Sequence, residues 1–315
     1  MSSPDRSGHV PVLVDRVTEF LVTDPGGSYL DLTVGAAGHL KALSERLDPG
    51  ARLYGLDRDP AAVVAAEATL RDCRQPVTLV NASYSDIESV AADLDDRYFD
   101  GILLDLGLSS LQLDDPTRGF SYRFDGPLDM RFDPESGDPS AADLANTLTE
   151  RELAEIIRTY GEERRAKRLA KAIVKERQAE MILTTSQLTL VVDSVVPRHE
   201  RNKTLARVFQ AFRIAANREL EGLGDTLPVL VGLLRQGGRL AVISYHSLED
   251  RIVKRFFQAE VKGCVCAPEV PVCVCGHEPR LKIHTRRPVV PEAAEVGMNP
   301  RARSAKLRVA ERLGG

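Results

Sequence analysis

The chain begins with a regular exchange between short apolar runs and segments whose apolar residues recur every three or four positions. Tyr29-Leu-Asp-Leu-Thr-Val34 reads as a strand, Gly35-Ala-Ala-Gly38 as a turn, and His39 to Leu47 as a helix. Arg52-Leu-Tyr-Gly-Leu-Asp57 is a second strand. Asp59-Pro60 then opens a helix, with Asp at the cap and Pro at the first helical position. Val77-Thr-Leu-Val80 and Gly101-Ile-Leu-Leu-Asp105 read as the third and fourth strands. This alternation predicts an α/β fold, a parallel sheet with helices on both faces.

The pattern changes after Ser110. The next convincing strand is Gly237-Gly-Arg-Leu-Ala-Val-Ile-Ser244, far beyond an ordinary connection of a few residues. Helical signals fill the gap. Thr149-Glu-Arg-Glu152 is a capping box ahead of Leu153, Ile156 and Ile157. Arg164 to Glu180 and Lys203 to Glu221 predict further helices. The reading is a helical domain, residues 115–215, inserted between two parts of a sheet domain, residues 1–114 and 216–315. An insertion after the fourth strand is expected to cover the carboxyl edge of the sheet, where open α/β sheets bind ligands. Leu281-Lys-Ile-His-Thr285 and Ser304-Ala-Lys-Leu-Arg-Val309 predict an antiparallel closing pair. There is no internal repeat and no low-complexity segment.

Composition narrows the class. Hydrophobic residues make up 43 % and charged residues 28 % of 315 positions, ordinary for a globular protein. No apolar run reaches the roughly 20 residues that cross a bilayer, and the first residues lack a secretory pattern. A cytoplasmic location without membrane contact is expected. Net charge is −4, yet positive charge is concentrated: seven basic residues and one acid from Arg164 to Arg177, and nine basic and three acidic from Arg280 to Arg312. Such patches suit a phosphate-backbone partner; solvated helix faces are the alternative. Cys264, Cys266, Cys273 and Cys275 form two Cys-x-Cys pairs with His277 close behind. They are candidates for one structural zinc, although the usual zinc spacing is Cys-x2-Cys; free thiols are the other reading.

Three strand ends carry candidate chemistry. Gly35 and Gly38 allow close backbone approach to a ligand at a helix N-terminus. Asp57 ends the second strand at the offset, about 20 residues on, where a carboxylate accepts hydrogen bonds from ribose hydroxyls. Asp105 ends the fourth strand, in Asp105-Leu-Gly-Leu-Ser-Ser110. An acid followed by small residues at this edge suits a methyltransferase, whose methionine moiety and acceptor meet there. A nicotinamide dinucleotide enzyme would want G-x-G-x-x-G, which is absent. Tyr84 follows the third strand and is placed to pack on an adenine.

Asp31-x-Thr-x-Gly-x-x-Gly-His39, Asp105-Leu-Gly-Leu-Ser-Ser110, Leu128-Asp-Met-Arg-Phe-Asp133, Ser244-Tyr-His-Ser-Leu-Glu-Asp-Arg251 and Asn299-Pro-Arg-Ala-Arg-Ser304 together resemble the RsmH (MraW) family. Its members methylate a cytosine N4 position in 16S rRNA of the small ribosomal subunit in bacteria. The resemblance implies a Rossmann-like class I methyltransferase sheet and S-adenosyl-L-methionine as cofactor. It also implies cofactor contacts at Ala37, Gly38, His39, Asp57, Tyr84, Asp105 and Gln112. The family usually has Gly-Gly-His where this chain has Ala37-Gly38-His39. Many amino-methyltransferases carry an Asp/Asn-Pro-Pro-aromatic loop after strand four. Here the loop lacks both prolines, so Asp105, Ser109, Ser110 and carbonyls near Leu106 are candidates to receive the amine. Tyr245 and His246 are candidates to stack on or contact a flipped base, with a helix cap as the other reading of His246. RNA contacts are expected from Arg131, Arg164, Arg165, Lys167, Arg168, Lys171, Arg301 and Arg303, although an internal salt bridge with Asp129 is the second reading of Arg131. A methyltransferase for another nucleic acid or a protein amine, and a non-catalytic RNA-binding assembly factor, remain as alternatives. Monomer and homodimer are both open.

Overall fold

The computed structural model describes residues 11–263, 272 and 278–314. Cys264, Cys266, Cys273, Cys275 and His277, the proposed zinc ligands, lie outside the described residues. Among those described, seven strands form one sheet: β1 (Ser28–Asp31), β2 (Arg52–Asp57), β3 (Val77–Asn81), β4 (Phe99–Asp105), β5 (Leu234–Ser244), β6 (Leu281–Ile283) and β7 (Lys306–Arg312). Their order is β3-β2-β1-β4-β5-β7-β6. The first five run parallel. β7 runs antiparallel to both β5 and β6, so the expected closing pair forms, with β7 on the inner side. β1 and β4 are neighbours although β2 and β3 separate them in sequence. The winding reverses between them, and at such a reversal the crevice beyond the carboxyl ends becomes a ligand site.

The helices in chain order are α1 (Val14–Leu21), α2 (Gly38–Ser44), α3 (Pro60–Leu70), α4 (Ile87–Asp93), α5 (Ser110–Asp114), α6 (Ala141–Thr147), α7 (Glu150–Thr159), α8 (Ala166–Ala179), α9 (Thr185–Val195), α10 (Arg201–Asn217), α11 (Glu219–Leu233), α12 (Ser247–Glu260) and α13 (Ala293–Met298). None is long and apolar enough to cross a membrane, among the described residues. Two compact units result: residues 1–107 with 221–315, and residues 108–220.

In the first unit both faces of the sheet are covered, as a parallel sheet requires. Alternation along β4 divides the core. Leu103 packs with Val17, Leu21, Leu40, Leu43 and Leu307. Ile102 and Leu104 face the other way, onto Leu223, Leu227 and Leu230 of α11 and Phe257 of α12. At the capping position Asp59 accepts the N–H of Ala61 and so starts α3, with Pro60 behind it.

The second unit is helical, and wider than the expected 115–215. Leu108 and Leu113 pack against its core of Leu153, Ile157, Leu169, Ile173, Leu188, Leu205 and Phe212. Two of its helices differ from expectation. Helix α8 starts at Ala166 rather than Arg164, because Glu162 is left-handed (φ 49) and the Glu163 carboxylate accepts the N–H of Arg165 at 2.9 Å. The predicted helix from Lys203 to Glu221 breaks at Arg218 (φ 51). The buried Asn217 amide stabilises that break, donating to the carbonyls of Met130 (2.7 Å) and Arg213 (2.9 Å) and accepting the Phe132 N–H (2.8 Å).

Candidate active site

At the carboxyl ends of β1, β2, β4 and β5 the first unit gathers the residues singled out from the sequence. The turn after β1 is tight. Ala37 adopts φ 62 and ψ 25 and is fully buried at the start of α2. Gly38 has Pro11 against it: a Cβ there would fall 2.6 Å from the proline Cγ, so only glycine fits. Asp57 holds this turn, accepting the Gly35 N–H at 2.9 Å through Oδ2 and the Asp59 N–H at 2.9 Å through Oδ1. It orders the loop through main-chain contacts. Tyr84 lies half-buried in a short turn after β3, packed against the core on the α11 side.

Asp105 is the hub. Its N–H donates to Thr33 Oγ1 at 2.7 Å, which fixes the end of β4 to the turn after β1. Its Oδ1 accepts the Tyr245 hydroxyl at 3.0 Å, and its Oδ2 lies 3.4 Å from His39 Nε2. His246 caps α12 with a capping box: its ring accepts the Glu249 N–H at 3.5 Å, and Glu249 Oε2 accepts the N–H of Tyr245 at 2.9 Å and of His246 at 3.3 Å. His246 Nε2 also lies 3.0 Å from Glu249 Oε1. The cap reading of His246 is therefore the one realised, and the base contact is not needed to explain its position.

One residue of the cluster was not singled out from the sequence. Asp31, the last residue of β1, is 1 % exposed. Its Oδ1 accepts the Thr33 N–H at 3.0 Å, while Oδ2 is buried without a hydrogen-bond partner. Burial first, and then the nearby Asp105 and Asp57 charges, push its pKa up to about 7. Both ring nitrogens of His39 are likewise buried without a hydrogen-bond partner. Burial alone would lower the His39 pKa; Asp105, Asp31 and Glu295 outweigh it and raise it. In sequence Asp31 is one acid before a turn, and only its neighbours across the sheet disclose its state.

The second unit holds the remaining candidates. Ser109 caps α5, its Oγ accepting the Gln112 N–H at 3.2 Å; Gln112 Oε1 in turn accepts the Ser109 N–H at 3.1 Å. Ser110 is the first residue of that helix. Arg131 forms a two-pronged pair with Asp129 (2.8 and 2.7 Å) and donates to the Asp138 carbonyl at 3.2 Å. Its guanidinium braces a loop rather than standing ready for phosphate. Arg165 pairs with Glu200, and Arg164 precedes α8. The face expected to run from Arg164 is instead made by Lys167, Arg168 and Lys171, all exposed, with Lys175 extending it. The opposite stripe, Ala166, Leu169, Ala170 and Ile173, is buried. Arg301 and Arg303 are exposed on a short turn of the first unit, between α13 and β7.

The MraW methylase family matches residues 6–313. A protein from Thermomicrobium roseum named ribosomal RNA small subunit methyltransferase H is 49 % identical over 316 residues, covering 99 % of this chain and 96 % of its own. A protein of the same name from Heliobacterium modesticaldum is 48 % identical over 309 residues, covering 97 % of this chain and 98 % of its own. The glycine turn, the acids closing β1, β2 and β4, and a likeness that runs the length of the chain place it in the MraW methylase family.

Proposed function

We propose that this protein transfers a methyl group from S-adenosyl-L-methionine to the N4 amine of a cytidine in small-subunit ribosomal RNA, working in the cytoplasm. The observation that carries the reading is the meeting of the Gly35–His39 turn with Asp31, Asp57 and Asp105 at the sheet's reversal point. The names of the relatives support the substrate class. The residues present fit the cofactor. Orphaned polar atoms on Asp31 and His39 are what a site built for a polar, positively charged ligand leaves when considered alone. In this reading Asp57 takes the ribose hydroxyls, the Gly38 and His39 N–H groups at the start of α2 take the amino-acid portion, and Tyr84 takes the adenine.

When bound, the cofactor supplies a sulfonium methyl for in-line displacement. The chain's own task is orientation. A cytosine amine is a poor nucleophile, because its lone pair is delocalised into the ring. Accepting its N–H hydrogens and fixing its approach therefore supply most of the rate. Asp105, its N–H bound to Thr33 and its carboxylate held between Tyr245 and His39, is the acceptor we assign to the amine. The exposed basic face of α8 contributes phosphate affinity.

Mapping N4-methylcytidine in small-subunit ribosomal RNA from cells with and without this protein tests the reading. One cytidine should lose its N4 methyl when the protein is absent and regain it on complementation. Complementation that succeeds equally with Asp105→Asn would sink the role given to Asp105, and an unchanged methylation map would sink the whole reading.

A further inference from the structure

Tyr245, between β5 and α12, is held at three points. Its N–H donates to Glu249 Oε2 at 2.9 Å and its hydroxyl donates to Asp105 Oδ1 at 3.0 Å. Its ring lies against the segment that follows β4: a Cβ on Gly107 would stand 3.1 Å from Tyr245 Cδ2. Gly107 has φ 109, a conformation that residues with side chains rarely adopt. Glu249, which holds the tyrosine from α12, is 2 % exposed. Main chain, ring and hydroxyl are thus all committed within the protein. A residue kept for stacking on a flipped base has no need of a hydroxyl fixed to the neighbouring carboxylate.

The segment beginning at Asp105 is the one that carries paired prolines in many amino-methyltransferases. Prolines there stiffen the backbone by fixing φ. This chain has Leu106 and Gly107 instead. Asp105 N–H is tied to Thr33 Oγ1 and Leu106 N–H to the Ile243 carbonyl at 2.9 Å. Beyond them comes a glycine, the least restrained residue available, and the Tyr245 ring rests on it. Resting on the methyl-transfer reading, we infer that Tyr245 is a positioning residue: it clamps Asp105-Leu106-Gly107 and aims the Asp105 carboxylate, doing by side-chain contact what prolines do by covalent constraint. A displacement of about 1 Å at such a group is enough to cost on the order of a hundredfold in rate.

Two variants separate a clamp from a stacking platform. Tyr245→Phe keeps the ring and removes the hydroxyl; Tyr245→Leu removes both. The full-length chain would be assayed for methyl transfer to an RNA fragment carrying the target cytidine, with cofactor affinity by calorimetry and Tm measured alongside. A clamp predicts that Tyr245→Phe lowers kcat by about tenfold or more, the effect of losing a hydrogen bond to a charged group, while the RNA KM stays unchanged. Tyr245→Leu falls further in kcat. Both assays are run at a temperature where Tm shows every variant folded. Tyr245→Phe with wild-type kcat, and Tyr245→Leu with a raised RNA KM, would overturn the inference and make Tyr245 a base platform. A wild-type protein that binds no cofactor or transfers no methyl would instead refute the methyl-transfer reading, so the two failures are distinguishable.

Discussion

In the helical unit, α6, α7 and α9 each begin with a capping box, from Ser140 with Asp143, Thr149 with Glu152 and Thr184 with Gln187. Even its left-handed Met130 is tied down, its N–H donating to the Arg118 carbonyl at 3.0 Å and its carbonyl accepting from Asn217 at 2.7 Å. At the carboxyl edge of the sheet the reverse holds. Ala37 is left-handed, Asp31 Oδ2 and His39 Nδ1 are buried without hydrogen bonds, and His39 Nε2 has only the Asp105 carboxylate at 3.4 Å. The helical unit leaves Thr189 Oγ1 buried without a hydrogen bond, and the sheet unit leaves Gln75 Oε1 and Thr226 Oγ1 likewise. At the carboxyl edge it is ionisable groups, Asp31 and His39, that are left, where local rules give way to a ligand. The electrostatics follow the same division: at the sheet edge charge is buried and dense, whereas on α8 it is exposed and repeated along a face.

The largest effect should come from neutralising the orphaned acid. Asp31 has its pKa raised to about 7 from 3.8, so the folded chain holds that proton more tightly than the unfolded chain. Its contribution to stability is therefore fully present below about pH 4 and is lost as pH rises toward 7. At roughly 1.4 kcal/mol per pH unit, the full range is worth about 4 kcal/mol as an upper figure. Asp31→Asn removes this penalty. The ligand-free variant should be more stable than wild type at pH 8, and the gain should shrink at pH 5. Denaturation at the two pH values tests this; a stability difference that does not change with pH would remove the sheet edge from the comparison.

Next is Asp57→Ala, which should weaken S-adenosyl-L-methionine binding by roughly 2–3 kcal/mol, the value of hydrogen bonds to a charged group. Part of that loss would come through the turn, since the Gly35 N–H loses its acceptor. Calorimetry with adenosine separates the two contributions, because adenosine presents the ribose without the amino-acid portion. Equal affinity of wild type and variant for both ligands would mean that the ribose lies elsewhere.

The α8 face should respond differently, through salt rather than through a fixed contact. Each phosphate contact adds about −0.7 to the slope of log affinity against log salt for single strands. Reversing Lys167, Arg168 and Lys171 to glutamate should flatten the slope by about 2, while cofactor affinity stays as it was. RNA binding that keeps its slope would leave this face a solvated surface and move attention to Arg301 and Arg303.

The sequence made the sheet legible because a parallel strand buried on both faces leaves an unbroken apolar run, and because Asp59-Pro60 and Thr149-x-x-Glu152 are local signals. Asp57 and Asp105 were legible as strand-end acids. What stayed hidden depends on distant partners. Arg218 breaks a helix without glycine or proline because Asn217 bonds across to Met130 and Phe132. Arg165 looks like a free cation until Glu200, 35 residues on, meets it, whereas the Asp129 pair of Arg131 is one of two readings open in the sequence. Asp31 becomes special only through Asp57, Asp105 and His39, none of them near it along the chain except His39.

The smallest effect is expected at Ala37, where the family usually carries glycine. Its left-handed backbone (φ 62) costs a residue with a Cβ about 1–2 kcal/mol. Glycine would relieve that strain, and two terms oppose the gain. The Ala37 methyl is fully buried among Val12, Val34 and Leu40, and losing one buried methyl costs about 0.8 kcal/mol. Glycine also gives the unfolded chain more freedom, worth about 0.4–1 kcal/mol. Ala37→Gly should therefore change stability by less than about 0.8 kcal/mol in either direction, a near-cancellation of these terms. Chemical denaturation resolves this. A stabilisation well beyond that figure would mean that the turn carries strain the core does not offset, which would widen the contrast with the helical unit. A marked loss would mean that the methyl's packing, and not the backbone, governs the position.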